Sequence, residues 1–492
     1  MAASDSNRVR LTSIEETTLG VTPTSPRMRR ARFTGESLSY KPTYTQSSEI
    51  RDDRMSADPA QIDQANDGPI NGELSYPVDL SPFSSWLQSM MCNRWSNTPS
   101  RDNDGTADSV ITGIAATGGV ATVNTGAAFV VGHLVRFTGF GQAANNGQFR
   151  CTTGSATVPA FASQSLVDEA APAANARMKV IGFEAGSGDV AAVSDGITST
   201  TLDFTTLNIP VGARIKLGAT ASGNRFATAA CNGWARVAGV AAHKLTLDNL
   251  PTGWTTDAGT GKAIRAFFGD NIKNGTTQIS ETLERGFMSQ ATPTYIAQAG
   301  MVVGQAEFTF EAKALATWTM TFTGMTGGQS TTSLDDSPDA ATTNRIMSSA
   351  VDVGRIAEGG VAIGGPNYTK SLKLTVANTP RTIDAIRNDG LVGPSDIGEG
   401  DCAVSIDLQT YFGSNALLAK LFSGASTNLD GRVTKDNQAI IFAVPRATFV
   451  DTTPPSAGGK NQDVMLSLTG TASYDSLTGA HLIIDRLEYF EL

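Results

Sequence analysis

Cysteine, histidine and charge are all scarce in this chain: 4 cysteines, 3 histidines and 17% charged side chains in 492 residues. Cys92, Cys151, Cys231 and Cys402 show no CxxC spacing, which argues against a disulfide framework and a zinc knuckle and for buried free thiols. His133, His243 and His481 lie in strand-like runs with no serine or cysteine nucleophile beside them, so no catalytic triad is predicted. Aromatic residues, at 7%, do not interleave with basic ones, which removes a single-strand-binding platform. Gly259-Thr-Gly-Lys262 lacks the earlier glycine and the following hydroxyl of a phosphate loop, and Gly186-Ser-Gly-Asp189 reads as a turn. Ser100-Arg-Asp-Asn-Asp-Gly105 has Ile111 where a calcium loop needs its glutamate. No catalytic residue, metal or cofactor is predicted. No apolar run reaches membrane-spanning length, and the first thirty residues hold no signal-type apolar stretch. The expectation is a cytosol-like compartment, with no membrane partner, unless the chain leaves inside a larger particle.

What the chain has is glycine, 50 residues of it, and apolar side chains at strand spacing. Ala306, Phe308 and Phe310 alternate with polar residues, as do Trp318, Met320 and Phe322; Leu372, Leu374 and Val376; Val404, Ile406 and Leu408; and Val464, Leu466 and Leu468. Period two with Thr and Ser between predicts half-buried antiparallel strands. Leu74, Tyr76, Val78 and Leu80 carry the same signal. Two short helices interrupt it. Ser81 and Pro82 supply a cap and a first-turn proline before Phe83, Trp86, Leu87, Met90 and Met91. Ser414 caps the second, Leu417, Leu418, Leu421 and Phe422 form its apolar face, and Gly424 ends it.

The order of these pieces repeats. Glu36-Ser-Leu-Ser-Tyr is echoed by Lys370-Ser-Leu-Lys-Leu, Arg51-Asp-Asp-Arg-Met by Arg387-Asn-Asp-Gly-Leu, Gly72-Glu-Leu-Ser-Tyr by Asp401-Cys-Ala-Val-Ser-Ile, and Met320-Thr-Phe-Thr-Gly-Met by Leu466-Ser-Leu-Thr-Gly-Thr. A fold used twice offers two similar edges, which favours rings and stacks. Between the halves of the first copy lies a smaller repeat. Val131-Gly-His-Leu-Val-Arg-Phe matches Val211-Gly-Ala-Arg-Ile-Lys-Leu, and Asn146-Gly and Asn232-Gly read as hairpin signals.

The predicted architecture is mainly β: two β-sandwich domains, each with a flanking α-helix, plus two small inserted β-modules in tandem. The boundaries are an N-terminal arm at 1–26, broken by Thr22-Pro-Thr-Ser-Pro26; a first sandwich at 27–104 and 271–327; modules at 105–185 and 186–270; a linker at 328–350; and a second sandwich at 351–492. Residues 1–35 carry 6 basic and 3 acidic groups and 105–270 carry 11 and 10, leaving 20 basic against 34 acidic in the repeated regions. An acidic surface of that kind does not hold DNA by counterion release. The near-neutral insert is expected to be an outer decoration that a short linker can replace.

Phe33-Thr-Gly-Glu-Ser-Leu-Ser-Tyr, Ser48-Glu-Ile-Arg-Asp-Asp-Arg and Asn71-Gly-Glu-Leu-Ser-Tyr, with the helix after them, resemble the tail tube proteins of long-tailed bacteriophages. So do Glu15-Glu-Thr-Thr-Leu-Gly-Val-Thr-Pro, Leu283-Glu-Arg-Gly-Phe, Ala299-Gly-Met-Val-Val and Trp318-Thr-Met-Thr-Phe-Thr-Gly. The resemblance implies a sandwich that joins others edge to edge, so that inner strands line a channel for double-stranded DNA. It implies a virion protein of siphovirus type, made in the host bacterial cytoplasm. Its partners would be copies of itself and the tape measure, tail terminator and distal tail proteins. The resemblance also implies six-domain rings, so a chain that supplies two domains is expected to close a ring of three chains with pseudo-six-fold symmetry. The polar stretch 41–70, with Arg51, Asp52, Asp53 and Arg54, is expected to be a loop used between rings, its charges setting register. Another ring-forming tail component, a terminator or distal tail protein, is the alternative; a β-module adhesin is a third reading, disfavoured by the lack of aromatic clusters.

Overall fold

The computed structural model describes residues 4–104, 110–162, 166–386, 390, 392–456 and 459–492. Strands β1 (Val9–Glu15), β2 (Arg29–Arg30), β3 (Ser39–Gln46) and β4 (Pro59–Glu73) lead to helix α1 (Pro82–Met91). An insertion follows, built on β5 (His133–Thr138), β6 (Gly147–Thr153), β7 (Arg177–Glu184), β8 (Arg214–Leu217), β9 (Gly233–Ala241) and β10 (Arg265–Phe267). Then come β11 (Asp270–Lys273), β12 (Glu281–Phe287), β13 (Thr294–Glu311), β14 (Thr317–Thr323) and β15 (Thr326–Ser330). The rest holds β16 (Val353–Glu358), β17 (Val361–Ala362), β18 (Thr369–Ala377), β19 (Ala403–Tyr411), α2 (Ala416–Ser423), β20 (Thr427–Lys435), β21 (Gln438–Thr453), β22 (Met465–Ala472) and β23 (Ile483–Leu487).

The ladders show a duplication running from the first strand to the last. In the first unit β2 pairs β1, β1 pairs β12, and β12 pairs the front half of β13, which also pairs β15. In the second unit β17, β16, β20, β21 and β23 repeat that order. The back half of β13 pairs β14, then β4, then β3; β21, β22, β19 and β18 do the same. Each unit is therefore a β-sandwich whose two sheets share one long strand. In β13 the passage between sheets runs through Gly300, held at φ +69, where an added Cβ would sit 2.8 Å from Met325. That backbone and that space both require glycine.

Several sequence expectations change. Residues 1–26 are not simply an arm: Val9–Glu15 pairs with β12 along its whole length, with Leu11 in the core. Its polar side chains hid it, because Ser13 accepts from buried Trp86 and donates to Glu281. The stretch 41–70 is not a loop: β3 and β4 form a long hairpin in which only 47–58 is outside strands. Leu74–Leu80 is irregular and follows β4 instead of forming a strand. Strand β15 crosses residue 327 and β11 crosses 270, so neither is a break in structure. Ser414 does not cap α2; its hydroxyl accepts from Asn367, and Asn415 stands at the helix start without a side-chain cap. Ser81 does accept from Ser84 N–H, and Gly424 ends α2 at φ +62. Arg387, Asn388 and Asp389 of the second echo lie outside the described residues.

Apolar alternation builds one core across both units. Trp86 of α1 meets Phe322 edge-on at 5.5 Å, and Phe308 of β13 meets Phe442 of β21 at 4.6 Å. The insertion forms a second core and one continuous sheet, in which β7 pairs both β5 and β10 and β10 pairs β8. Its internal repeat is visible in hydrogen bonds. Asn146 accepts from Phe140 N–H and donates to the Phe140 and Gln142 carbonyls; Asn232 does the same with Phe226 and Thr228. These asparagines pin longer loops at the start of a strand. They do not form two-residue hairpin turns, because the side chain replaces a missing backbone ladder.

Candidate functional site

One feature crosses the whole chain. β13 pairs antiparallel with β18, from Gln305 opposite Ala377 to Glu311 opposite Ser371. The inner sheets of the two units thereby join into a single run ordered β3, β4, β14, β13, β18, β19, β22, β21. Its inner face is the core. Because successive side chains point to opposite faces, the ladders also fix the other face. It carries hydroxyls at Thr317, Thr319, Thr321, Thr323, Thr309, Ser371, Thr375, Ser405, Ser467, Thr469 and Thr471. Within these ladders it bears carboxylates at Asp63, Asp67, Glu73, Glu307, Glu311, Asp407 and Asp451, against Lys41 and Lys373. Lys373 reaches Glu307 at 2.9 Å, and Thr469 donates to Asp407 at 2.9 Å.

At both ends this sheet is unfinished. β3 pairs only β4, and the last residues of β21, Thr448–Thr453, pair only β22 among the described residues. Unpaired strand edges are templates for another chain. The β3–β4 hairpin also projects, with Ile50 99% exposed and Tyr44, Met55 and Ile62 largely so. Its tip holds the four residues singled out in the sequence. Arg51 and Asp53 pair at 2.5 Å, Arg54 N–H closes a turn onto the Arg51 carbonyl, and Arg54 takes φ +59. The Arg51 guanidinium and the Met55 N–H hold the Asp53 carboxyl below its usual range. Asp52 and Arg54 stay exposed beside that pair.

The insertion is fastened behind the sheet by buried charge. Arg486 of β23 donates to Asp270 at 2.9 Å, to the Pro77 carbonyl at 2.8 Å and to Ser84 at 2.6 Å, and also to Asp79. Its guanidinium lies 4.2 Å over the Trp95 ring. Lys179 of β7 reaches Asp270 at 2.6 Å and Asp79 at 2.9 Å, and Arg177 reaches Asp79 at 2.5 Å and Glu488 at 2.7 Å. Burial pushes the Asp79 carboxyl up, but Lys179, Arg486 and Arg177 outweigh it and hold the group well below the carboxylate range. Nearby, Arg214 pairs Asp430 at 2.7 Å, and Leu134, Ile181 and Phe267 pack on Ala439, Ile441, Leu487 and Phe490. The expected outer decoration is thus packed onto the body: the described residues of the insertion cover an apolar face of the second unit and share its ion pairs.

Two cavities lie beside titratable groups. One of about 240 Å³ is lined by Ser13, Ser85, Glu15, Arg94 and Glu281. Burial, opposed by hydrogen bonds from Ser13 and Ser85, pushes the Glu281 carboxyl up to about 8. The other, about 270 Å³, lies between the units beside Cys92, Cys402 and His481. Burial lowers His133 to about 4 and raises the Cys402 thiol to about 11. All four cysteines are free thiols, and among the described residues no three His, Cys, Asp or Glu side chains are grouped to hold a metal. Among the described residues no helix is long and apolar enough to cross a membrane.

Sequence reasoning missed Asp63 and Asp67 as residues of this outer face. β4 is polar on both faces in its exposed half, so it lacked an apolar period; the alternation Asp63, Ala65, Asp67, Pro69, Asn71 was the available signal.

A sheet carried through two repeated sandwiches and open at both ends defines a self-associating structural protein. A family model described as "Phage tail tube protein" matches residues 6–472, and the chain belongs to that family: it is a structural component of the phage tail, from a family that assembles into a tube. Comparison with curated proteins gave no match.

Proposed function

We propose that three chains close a ring with pseudo-six-fold symmetry, and that rings stack into the hollow tube through which double-stranded DNA leaves the particle. The observation that carries this reading is the eight-strand sheet: one chain already joins two units edge to edge and leaves one matching edge open at each end. Closure would remove both edges. The hydroxyl and carboxylate face of that sheet would line the channel. Seven carboxylates against Lys41, Lys373 and the exposed Arg446, two residues before Thr448 in β21, leave a net negative face that repels phosphate over about 8–10 Å at physiological salt. A wall making about 6–10 phosphate contacts would instead hold the DNA. Arg51, Asp52, Asp53 and Arg54, at the hairpin tip, would meet the next ring. The tape measure protein would occupy the lumen during assembly, and terminator and distal tail proteins would close the ends.

Electron microscopy of the purified chain at high concentration, with symmetry averaging of end views, tests this. Hollow tubes of three-chain rings are expected. Six-chain rings would refute the count, and single unstacked rings or dispersed monomers would refute tube formation.

A further inference from the structure

We propose that the joint between neighbouring chains reproduces the joint inside one chain, in the same register, with Asp451 of one copy opposite Lys41 of the next. The inference rests on the ring reading above. Inside the chain, the β13–β18 ladder is reinforced in two ways. Asn378, just after β18, donates to the Met90 and Val303 carbonyls at 2.7 and 3.1 Å. The loop that follows folds back over the first unit, burying Ile397 against Val302 and Met325, and its carbonyl accepts from Gln278 at 2.8 Å. The second unit thus covers the end of α1 and the flank of β13.

The matching parts of the second unit are bare. A bulge at Gly304, between Val303 and Gln305, corresponds to one at Val450, between Phe449 and Asp451. From there the ladders carry the match round the sheet. Gln305, Thr321 and Pro69 lie in line, as do Asp451, Thr469 and Asp407. Pro69 accepts from Ser37 N–H, and Asp407 lies opposite Lys373, so Ser37 corresponds to Lys373 and Lys41 to Ala377. Ala377 faces Gln305 across the internal joint, so Lys41 of a neighbour faces Asp451. Both residues are exposed on the wall face, and neither has an ion-pair partner among the described residues. The internal joint carries its own ion pair on that face, Lys373 with Glu307.

The left-handed caps Cys92 and Gly424 align Met90 with Phe422. Met90 is buried, whereas Phe422 is 80% exposed, and Val450 and Tyr474 are exposed with it. The segment equivalent to the covering loop is the β3–β4 hairpin, whose Tyr44, Ile50, Met55 and Ile62 are exposed. A second copy of this chain supplies that hairpin, laid over Phe422, Val450 and Tyr474.

The test is a Lys41→Cys/Asp451→Cys chain assembled into tubes and treated with a short bis-maleimide. Denaturing gels should show bands up to a closed trimer, while each single variant stays at the monomer position. Tubes that form without this cross-link would overturn the register. Should the cysteine pair itself block assembly, charge exchange decides: Lys41→Asp and Asp451→Lys should each raise the assembly concentration, and the double exchange should restore it. No restoration overturns the pairing. Phe422→Glu should leave the monomer's circular dichroism unchanged and raise the assembly concentration at least tenfold; unchanged assembly overturns the hairpin contact. Wild-type chain that never polymerises sinks the ring reading itself, which separates that failure from failure of the register.

Discussion

Replacing Arg486 by methionine removes the hub of the buried ion network while keeping an apolar stem. Arg486 is 1% exposed and Asp270 is fully buried. The substitution takes the Arg486 donors from Asp270, the Pro77 carbonyl, Ser84 and Asn97. Asp270 keeps Lys179, and Asp79 keeps Lys179 and Arg177. Removing one partner of a buried pair costs about 3–5 kcal/mol, since the charge left behind is no longer compensated. The surviving lysine argues for the lower end, and loss of the contact over Trp95 adds about 1 kcal/mol or more. We expect a loss of about 4 kcal/mol, read by denaturant unfolding with tryptophan fluorescence at pH 7. Limited proteolysis should show the insertion loosening first. Arg486→Lys should recover only part, because a point charge cannot satisfy a forked donor set. In a double-mutant cycle, Asp270→Asn should be much less harmful in the Arg486→Met background. A loss under 1 kcal/mol, or strictly additive effects, would refute the network as the fastening.

Glu281 supplies a pH test. Burial pushes its folded carboxyl up to about 8, above the ordinary glutamate value of about 4.5, so the folded chain holds a proton that the unfolded chain releases. The resulting stability is complete below about 4.5 and is lost as pH rises through 8. Glu281→Gln should flatten that part of the profile; identical pH slopes for both proteins would contradict the assignment. Excision of residues 105–268 with a short linker should yield insoluble or protease-sensitive chain, since Ala439, Ile441, Leu487 and Phe490 lose their cover; well-formed tubes from that variant would restore the decorative view. Lysine at positions 67, 307 and 407 should give tubes that retain DNA at low salt and release it as salt rises, with about 0.9 in log–log slope for each phosphate contacted. Salt-independent behaviour in a retention assay would remove those residues from the wall.

Strands with one apolar face were legible because burial leaves a period-two trace, as in Trp318, Met320 and Phe322. Helix α1 was legible because Ser81, Pro82 and the spaced aromatics agree. Strand β1 was not, since its inward groups include Ser13, a hydrogen-bonding side chain that composition cannot distinguish from a solvated one. β4 was not, since half of it leaves the body and buries neither face.

The echoes were right in order and wrong in register. Structure places Pro69 in correspondence with Asp407 and Ser37 with Lys373, whereas the motif echo sets Ser37 against Ser371. This echo and the Met320–Leu466 one are each displaced by two residues, which keeps the same face buried, so an apolar pattern cannot detect it. The Gly72–Asp401 echo is displaced further, since Gly72 lies at the end of β4 while Asp401 precedes β19.

By itself, then, the sequence determined a twice-used β-sandwich, its helices, its interrupting repeat and the acidic balance of the repeated regions. Those are local periods and sums, and they survive without knowledge of any contact. Only the tertiary structure decided that β13 joins β18, that the insertion clamps the second unit, and which carboxylates share one face with the threonines. Each of those depends on which distant strand lies beside which, and strand neighbours are chosen by packing and edge pairing across the whole chain.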